Sequence, residues 1–219
     1  MTTIEFFHDA VCGWCYLLSP RLRIIAAKYP VKIVHRAFVL QYDESDMVTR
    51  FGSLRQAKQE ILQHWAQCQQ YAEQPELINI EGMRAASFDY PTGYLAALYA
   101  KAIEQHCGQM AHWHFFDAVQ RAHLYEAQNI ADPQVLNAIT NTLACTYDIP
   151  YASIIASVHS SKVIKAVTND NLRAEAFGIR TIPWLLINGR KSVSQTLSLE
   201  QLESLVISSL SANLVEDEL

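Results

Sequence analysis

Residues 9–16 read DAVCGWCY. Cys12 and Cys15 stand two residues apart, and the segments on either side of them decide what such a pair can do. Upstream, residues 4–8 (IEFFH) are short, apolar and aromatic, which predicts a buried strand running straight into the cysteines. Downstream, Trp14, Leu17, Leu18, Leu22 and Ile25 recur at helical spacing, so a helix is predicted from the cysteines onward, with a kink at Pro20 and an end at Pro30. Residues 31–39 (VKIVHRAFV) are rich in β-branched side chains and partly alternate, which predicts a second strand. A strand–helix–strand crossover makes the two strands parallel neighbours.

From about residue 41 to 165 the β-branched runs disappear, and Gln, Ala, Leu, His and Tyr take over at helical spacing. Helices are predicted over 53–73, 92–106, 109–127, 133–147 and 150–177, with breaks at Pro75, Gly82, Pro91, Gly108 and Pro133. The strand signal returns at the other end of the chain. Strands are predicted over 184–187 and 191–194, joined by Asn188-Gly189, the strongest short hairpin signal. An amphipathic helix is predicted over 199–210, with Ser198 as its N-cap. The expected organisation is an α/β domain of residues 1–40 and 166–219, a βαβ unit joined to a ββα unit around one mixed sheet. Residues 41–165 form an all-helical insertion in it.

The 219 residues suffice for one sizeable core, and 50% hydrophobic against 18% charged residues exclude a disordered chain. A net charge of −5 without basic clusters argues against nucleic acid as a partner. The terminal VEDEL reads as a solvated acidic tail. The start, MTTIEFF, lacks the basic and apolar regions of a secretory signal, and no apolar run reaches membrane-span length. A cytoplasmic location without membrane partners is therefore expected. Five cysteines are too few, and odd in number, for a disulfide scaffold. In a reducing compartment a close pair is metal-binding or catalytic.

A structural zinc site needs about four ligands, and no second Cys-x-x-Cys accompanies the first. His106, His112 and His114 gather near Cys107, but His112 and His114 are two apart and do not share a helical face. No metal is expected. The redox reading has a mechanism. A cysteine at a strand-to-helix junction meets unpaired N–H groups and the positive end of the helix dipole, which favours its thiolate. Cys15, one turn further on, faces back on Cys12 and can attack a mixed disulfide. Ile182-Pro183 lies just before a predicted strand, an awkward place for proline unless it opens that strand in trans or turns the chain in cis beside the site.

Together these residues resemble the DsbA family of thioredoxin-like disulfide oxidoreductases, in particular its FrnE-like branch. Asp9, Cys12, Trp14, Cys15 and Tyr16 match that family's Asp-x-x-Cys-Pro-Trp-Cys-Tyr motif, and GIRTIPWLLING (178–189) is similar to its cis-proline segment. The resemblance implies a thioredoxin fold, Cys12 as nucleophile, Cys15 as resolving thiol and Pro183 in cis. It also implies a substrate surface formed by the Cys12 loop and the Ile182-Pro183 segment. Gly13 departs from the family's proline, which bears on redox poise. A neighbouring branch, the kappa-class glutathione transferases and 2-hydroxychromene-2-carboxylate isomerases, shares the architecture but typically carries serine at the position of Cys12. Protein or small-molecule disulfides and dithiols are the expected partners. No cofactor is expected, and glutathione stays open as a redox partner.

Around this pair, His8 either stabilises the Cys12 thiolate or is a strand-end histidine bonded to backbone. Asp9 either serves in positioning or proton transfer with Cys15, or is a turn or cap residue. Trp14 is expected to be partly exposed, to cover the disulfide and to contact substrate. Cys68, Cys107 and Cys145 read as buried small hydrophobes. The function expected is thiol–disulfide exchange. The alternatives are a glutathione-dependent transferase or isomerase and a redox-gated binding protein.

Overall fold

The computed structural model describes residues 2–194 and 196–216; Met1, Gln195 and the last three residues of the acidic tail lie outside them. The chain runs β1 (Thr2–His8), α1 (Gly13–Lys28) and β2 (Val31–Ala37), and then through helices to β3 (Trp184–Ile187), β4 (Lys191–Val193) and α9 (Leu199–Glu216). The sheet order is β2-β1-β3-β4, with β1 parallel to β2 and antiparallel to β3, and β3 antiparallel to β4. This is the mixed sheet expected of a βαβ unit joined to a ββα unit. Asn188 and Gly189 both take positive φ, 50° and 66°, as the centre of a type I′ turn does, and the Arg190 N–H donates to the Ile187 carbonyl at 3.0 Å in a three-residue loop between the paired Ile187 and Lys191.

Both faces of the sheet are covered. Ile4 and Phe6 point to one side, where they meet Leu18, Leu22 and Ile25 of α1 and Leu202 and Val206 of α9. Phe7 points to the other, with Leu186, Ala174 and Ile179. Glu5, also on β1, is buried and accepts from Arg36 at 2.8 Å and from two nitrogens of Arg173 at 2.5 Å. These charge-assisted bonds make a buried carboxylate tolerable in the central strand. α1 carries Pro20 inside it and ends at Lys28, just ahead of Pro30.

Between β2 and β3 lie α2 (Glu44–Phe51), α3 (Leu54–Gln69), α4 (Ile80–Ala85), α5 (Tyr94–Leu124), α6 (Pro133–Tyr147), α7 (Tyr151–Ser157) and α8 (Ser161–Ala176). α2 is an element the sequence reading missed. It starts where the Asp43 carboxylate accepts from the Asp46 N–H at 3.0 Å. The helices expected over 92–106 and 109–127 are two arms of α5, joined at Gly108 with φ 82° and ψ −177°. The helix expected over 150–177 is two helices, because the Ser160 hydroxyl caps a new one by accepting from Val163 N–H at 3.3 Å. α8 also crosses the expected boundary at residue 165. Among the described residues no helix is long and apolar enough to cross a membrane.

Candidate active site

β1 ends at His8, and the loop after it delivers Cys12 as the N-cap of α1, with extended backbone (φ −85°, ψ 108°). Its Sγ accepts from the Cys15 N–H at 3.3 Å, and its carbonyl accepts from the N–H groups of Cys15 and Tyr16. Both sulfurs are thiols. Cys12 retains 7% exposure and Cys15 none. Burial, and then the contact with Cys12, raise the Cys15 thiol well above its ordinary range. One thiol thus borders solvent while the other waits behind it.

The Ile182-Pro183 bond is cis. Its carbonyl side faces the cysteines, with Cys12 Sγ 3.9 Å from the Ile182 oxygen. Residues 170 apart in sequence therefore form opposite walls of one groove of about 280 Å³, lined also by Trp14, Leu40, Cys68 and Tyr90. Trp14 is partly exposed, as expected, and packs on Tyr71 with ring centroids 5.6 Å apart. The lining carries exposed Arg50, His64 and Arg180 and, among the described residues, no carboxylate. An anionic partner is favoured there on charge alone.

Asp9 lies buried behind the cysteine loop. Its carboxylate accepts from Val11 N–H at 3.3 Å and Leu40 N–H at 2.9 Å, tying the loop to the chain after β2. Burial, opposed by those backbone bonds, raises its pKa to about 6. The Asp9 backbone works to lower the Cys15 thiol, and the Asp9 charge to raise it. The carboxylate fits only because residue 93 is glycine. A Cβ there would lie 1.6 Å from Asp9 Oδ1.

His8 does neither of the things expected of it. It is not among the groove residues, and its partner is a side chain rather than backbone: His8 Nε2 is 2.9 Å from His35 Nδ1. Its ring packs on Phe116 and faces His112. A strand alternates its side chains, so His8 shares the face of Ile4 and Phe6 and enters the core beside α5.

The third thiol is not a bystander. Cys68, buried on α3, faces the loop so closely that a Cβ on Gly13 would sit 3.1 Å from its Sγ. Burial pushes the Cys68 thiol up, and the charge of Cys12 adds to this. Cys107 and Cys145 correct the sequence reading, the first being half-buried and the second exposed. Beneath the loop, Tyr90 donates to the Val11 carbonyl at 3.1 Å and accepts from Trp65 Nε1 at 3.2 Å. Gln120 of α5 donates to the Cys12 carbonyl at 3.1 Å. No local motif marks these supports, because each comes from the helical insertion.

A mixed sheet with a two-cysteine N-cap facing a cis-proline segment defines the thioredoxin-like class of proteins. The family model of the DSBA-like thioredoxin domain matches residues 3–206, and the chain belongs to that family, one of thiol–disulfide oxidoreductases. Solved structures agree on the fold. One from Nitrosomonas europaea, provisionally described as a protein disulfide isomerase, is 18% identical over 96% of this chain and 98% of its own, with a TM-score of 0.76. The cytosolic disulfide reductase DsbM of Pseudomonas aeruginosa is 18% identical over 88% and 89%, with a TM-score of 0.69, and it is also solved with GSH. A 2-hydroxychromene-2-carboxylate isomerase is 15% identical over 97% and 98%, with a TM-score of 0.66. The search of curated proteins returned no match.

Proposed function

We propose that the chain exchanges disulfides through Cys12-Gly13-Trp14-Cys15, as a FrnE-like member of its family acting in the cytoplasm. The observation that carries this is the placement of Cys12, capping α1 with Cys15 N–H on its sulfur and the Ile182 carbonyl 3.9 Å away. The Cys12 thiolate attacks one sulfur of a substrate disulfide, forming a mixed disulfide and releasing one thiolate. Cys15 passes its proton toward the Asp9 carboxylate and attacks Cys12 Sγ. The Cys12–Cys15 disulfide forms and the second substrate thiolate leaves, so two electrons have passed to the substrate. Two thiols of the glutathione class, the first forming a mixed disulfide and the second displacing it, reverse the oxidation, leave joined as their own disulfide and regenerate the pair. Protein or small-molecule disulfides fit the open groove. The cytoplasmic poise favours work as a reductase or isomerase.

The test is the equilibrium of the pair against reduced and oxidised glutathione, with Cys15→Ser used to trap the mixed disulfide on Cys12. A reversible disulfide is expected. If none forms at any ratio, dithiol exchange is refuted.

The basic groove favours a second reading, a glutathione-dependent transferase or isomerase. It requires glutathione to saturate a site that Arg180→Glu weakens, and activity to survive Cys15→Ser. The first reading requires turnover to fall with Cys15.

A further inference from the structure

Three histidines from three elements meet beside the sheet. His8 comes from β1, His35 from β2, where it stands opposite Phe6 with His8 paired to Ala37, and His112 from α5 in the insertion. One ring nitrogen of each lies within 4.8 Å of the other two. His35 and His112 have no exposure and His8 has 4%. Phe6, Trp113 and Phe116 surround the rings. Buried polar atoms are nearly always hydrogen-bonded, yet His35 Nε2 and His112 Nε2 have no partner among the described residues.

The unpartnered nitrogen on His112 has a definite state. Its Nδ1 lies 2.7 Å from the Glu104 carboxylate, which only accepts, so the proton sits on Nδ1 and Nε2 carries a free lone pair. A carboxylate fixing the outer nitrogen of a buried imidazole is the arrangement that orients histidines toward a metal. Lys101, the nearby cation, is neutralised by Asp170 at 2.6 Å and Glu104 at 2.8 Å. A cavity of about 20 Å³ borders His8 and His112, room for one water molecule.

We propose that His8, His35 and His112 bind one divalent transition-metal ion of the zinc class, with Glu104 orienting His112 and a water from the adjoining cavity as fourth ligand. Imidazole nitrogens suit this class of ion, and three histidines with one open position is an established zinc geometry. Zinc–nitrogen bonds of about 2.0–2.1 Å place tetrahedral ligands about 3.4 Å apart, so the widest pair closes by roughly 1–1.5 Å and the His8–His35 contact opens slightly. The proton shared along that 2.9 Å contact moves to the other nitrogen of its own ring when the metal takes its place, so each histidine binds as the neutral imidazole. The ion clamps β1 and β2 to α5, immediately behind the redox loop. The inference is independent of the proposed redox function. The sequence reading expected no metal because the ligands lie 27 and 77 residues apart and obey no local spacing.

The test uses the full-length Cys12→Ser/Cys15→Ser protein, stripped with a chelator and titrated with cobalt(II). One cobalt per chain is expected, with visible d–d absorption and no sulfur-to-metal charge-transfer band, and zinc should displace it. Glu104→Gln, at a partly exposed position outside the ligand set, should weaken binding about 10–100-fold. His112→Gln should abolish it. The absence of saturable binding to the folded protein, or the appearance of a sulfur charge-transfer band, overturns the site. So does an affinity unchanged in Glu104→Gln and in His35→Gln.

Discussion

Replacing Asp9 by asparagine tests the electrostatics beneath the cysteine loop. Burial raises the Asp9 carboxyl from an ordinary 3.8 to about 6, which corresponds to about 3 kcal/mol. The folded state therefore holds the Asp9 proton more tightly than the unfolded state does. Stability owed to that proton is complete below 3.8 and is lost as the pH rises through 6. The asparagine introduced by Asp9→Asn does not titrate. Its amide faces one of the two backbone N–H groups that the carboxylate satisfied, at a cost of about 1–3 kcal/mol that does not vary with pH. The informative quantity is thus the change in the stability difference with pH, in which that constant cancels. Urea unfolding of wild type and Asp9→Asn, with reductant and a chelator present, should show the wild type losing about 3 kcal/mol relative to the variant between pH values below 3.8 and above 6. A stability difference that does not change with pH would mean that Asp9 ionises as it does in water. Its role as proton acceptor for Cys15 would fall with that result.

Gly93→Ala should act on the same carboxylate. Residue 93 has φ −86°, where alanine normally stabilises by about 0.4–1 kcal/mol, but its Cβ would meet Asp9 Oδ1 at 1.6 Å. The clash decides the sign: calorimetry should show a loss of about 1–3 kcal/mol, and the Asp9 pH step should shrink. Tyr90→Phe leaves the Val11 carbonyl and the Trp65 indole N–H buried without their partner, and denaturant unfolding should report a loss of about 1–3 kcal/mol. Glu5→Gln removes the charge that binds Arg36 and Arg173, which hold the Glu5 carboxyl below its ordinary value against burial. Its cost, about 1–3 kcal/mol by denaturant unfolding, should be present above pH 4.5 and vanish toward acid as wild-type Glu5 itself protonates.

The parts of this molecule that were legible in its sequence are those governed by neighbours in the chain. A short apolar, aromatic run made β1, and Asn188-Gly189 made the hairpin, because each depends on a handful of consecutive residues. The Cys12–Cys15 pair was readable for the same reason, as two residues place both thiols on one turn of α1. What was hidden depends on contacts across the fold. His8 looked like a neighbour of Cys12, four residues away, but strand alternation turns it into the core against His35 and His112. Asp9 looked like a cap or turn residue, and its loop contacts fit that. Its burial needs the glycine at position 93, which sequence proximity does not reveal.

Gly13 shows how a departure from a family motif follows from such a distant contact. Any residue other than glycine, proline included, would put a Cβ 3.1 Å from Cys68 Sγ, closer than a comfortable packing distance. Cys68 cannot readily retreat, because it is buried on α3 within the core that also holds Trp65 and Leu124. The helical insertion thus presses a sulfur against the backbone between Cys12 and Cys15, and glycine is the residue that leaves room for it. Trimming that sulfur with Cys68→Ala should relieve the contact and make Gly13→Pro tolerable. The double variant should unfold at a higher denaturant concentration than Gly13→Pro alone, by a coupling of about 0.5–3 kcal/mol. Additive effects would show that the close approach of Cys68 does not select the glycine.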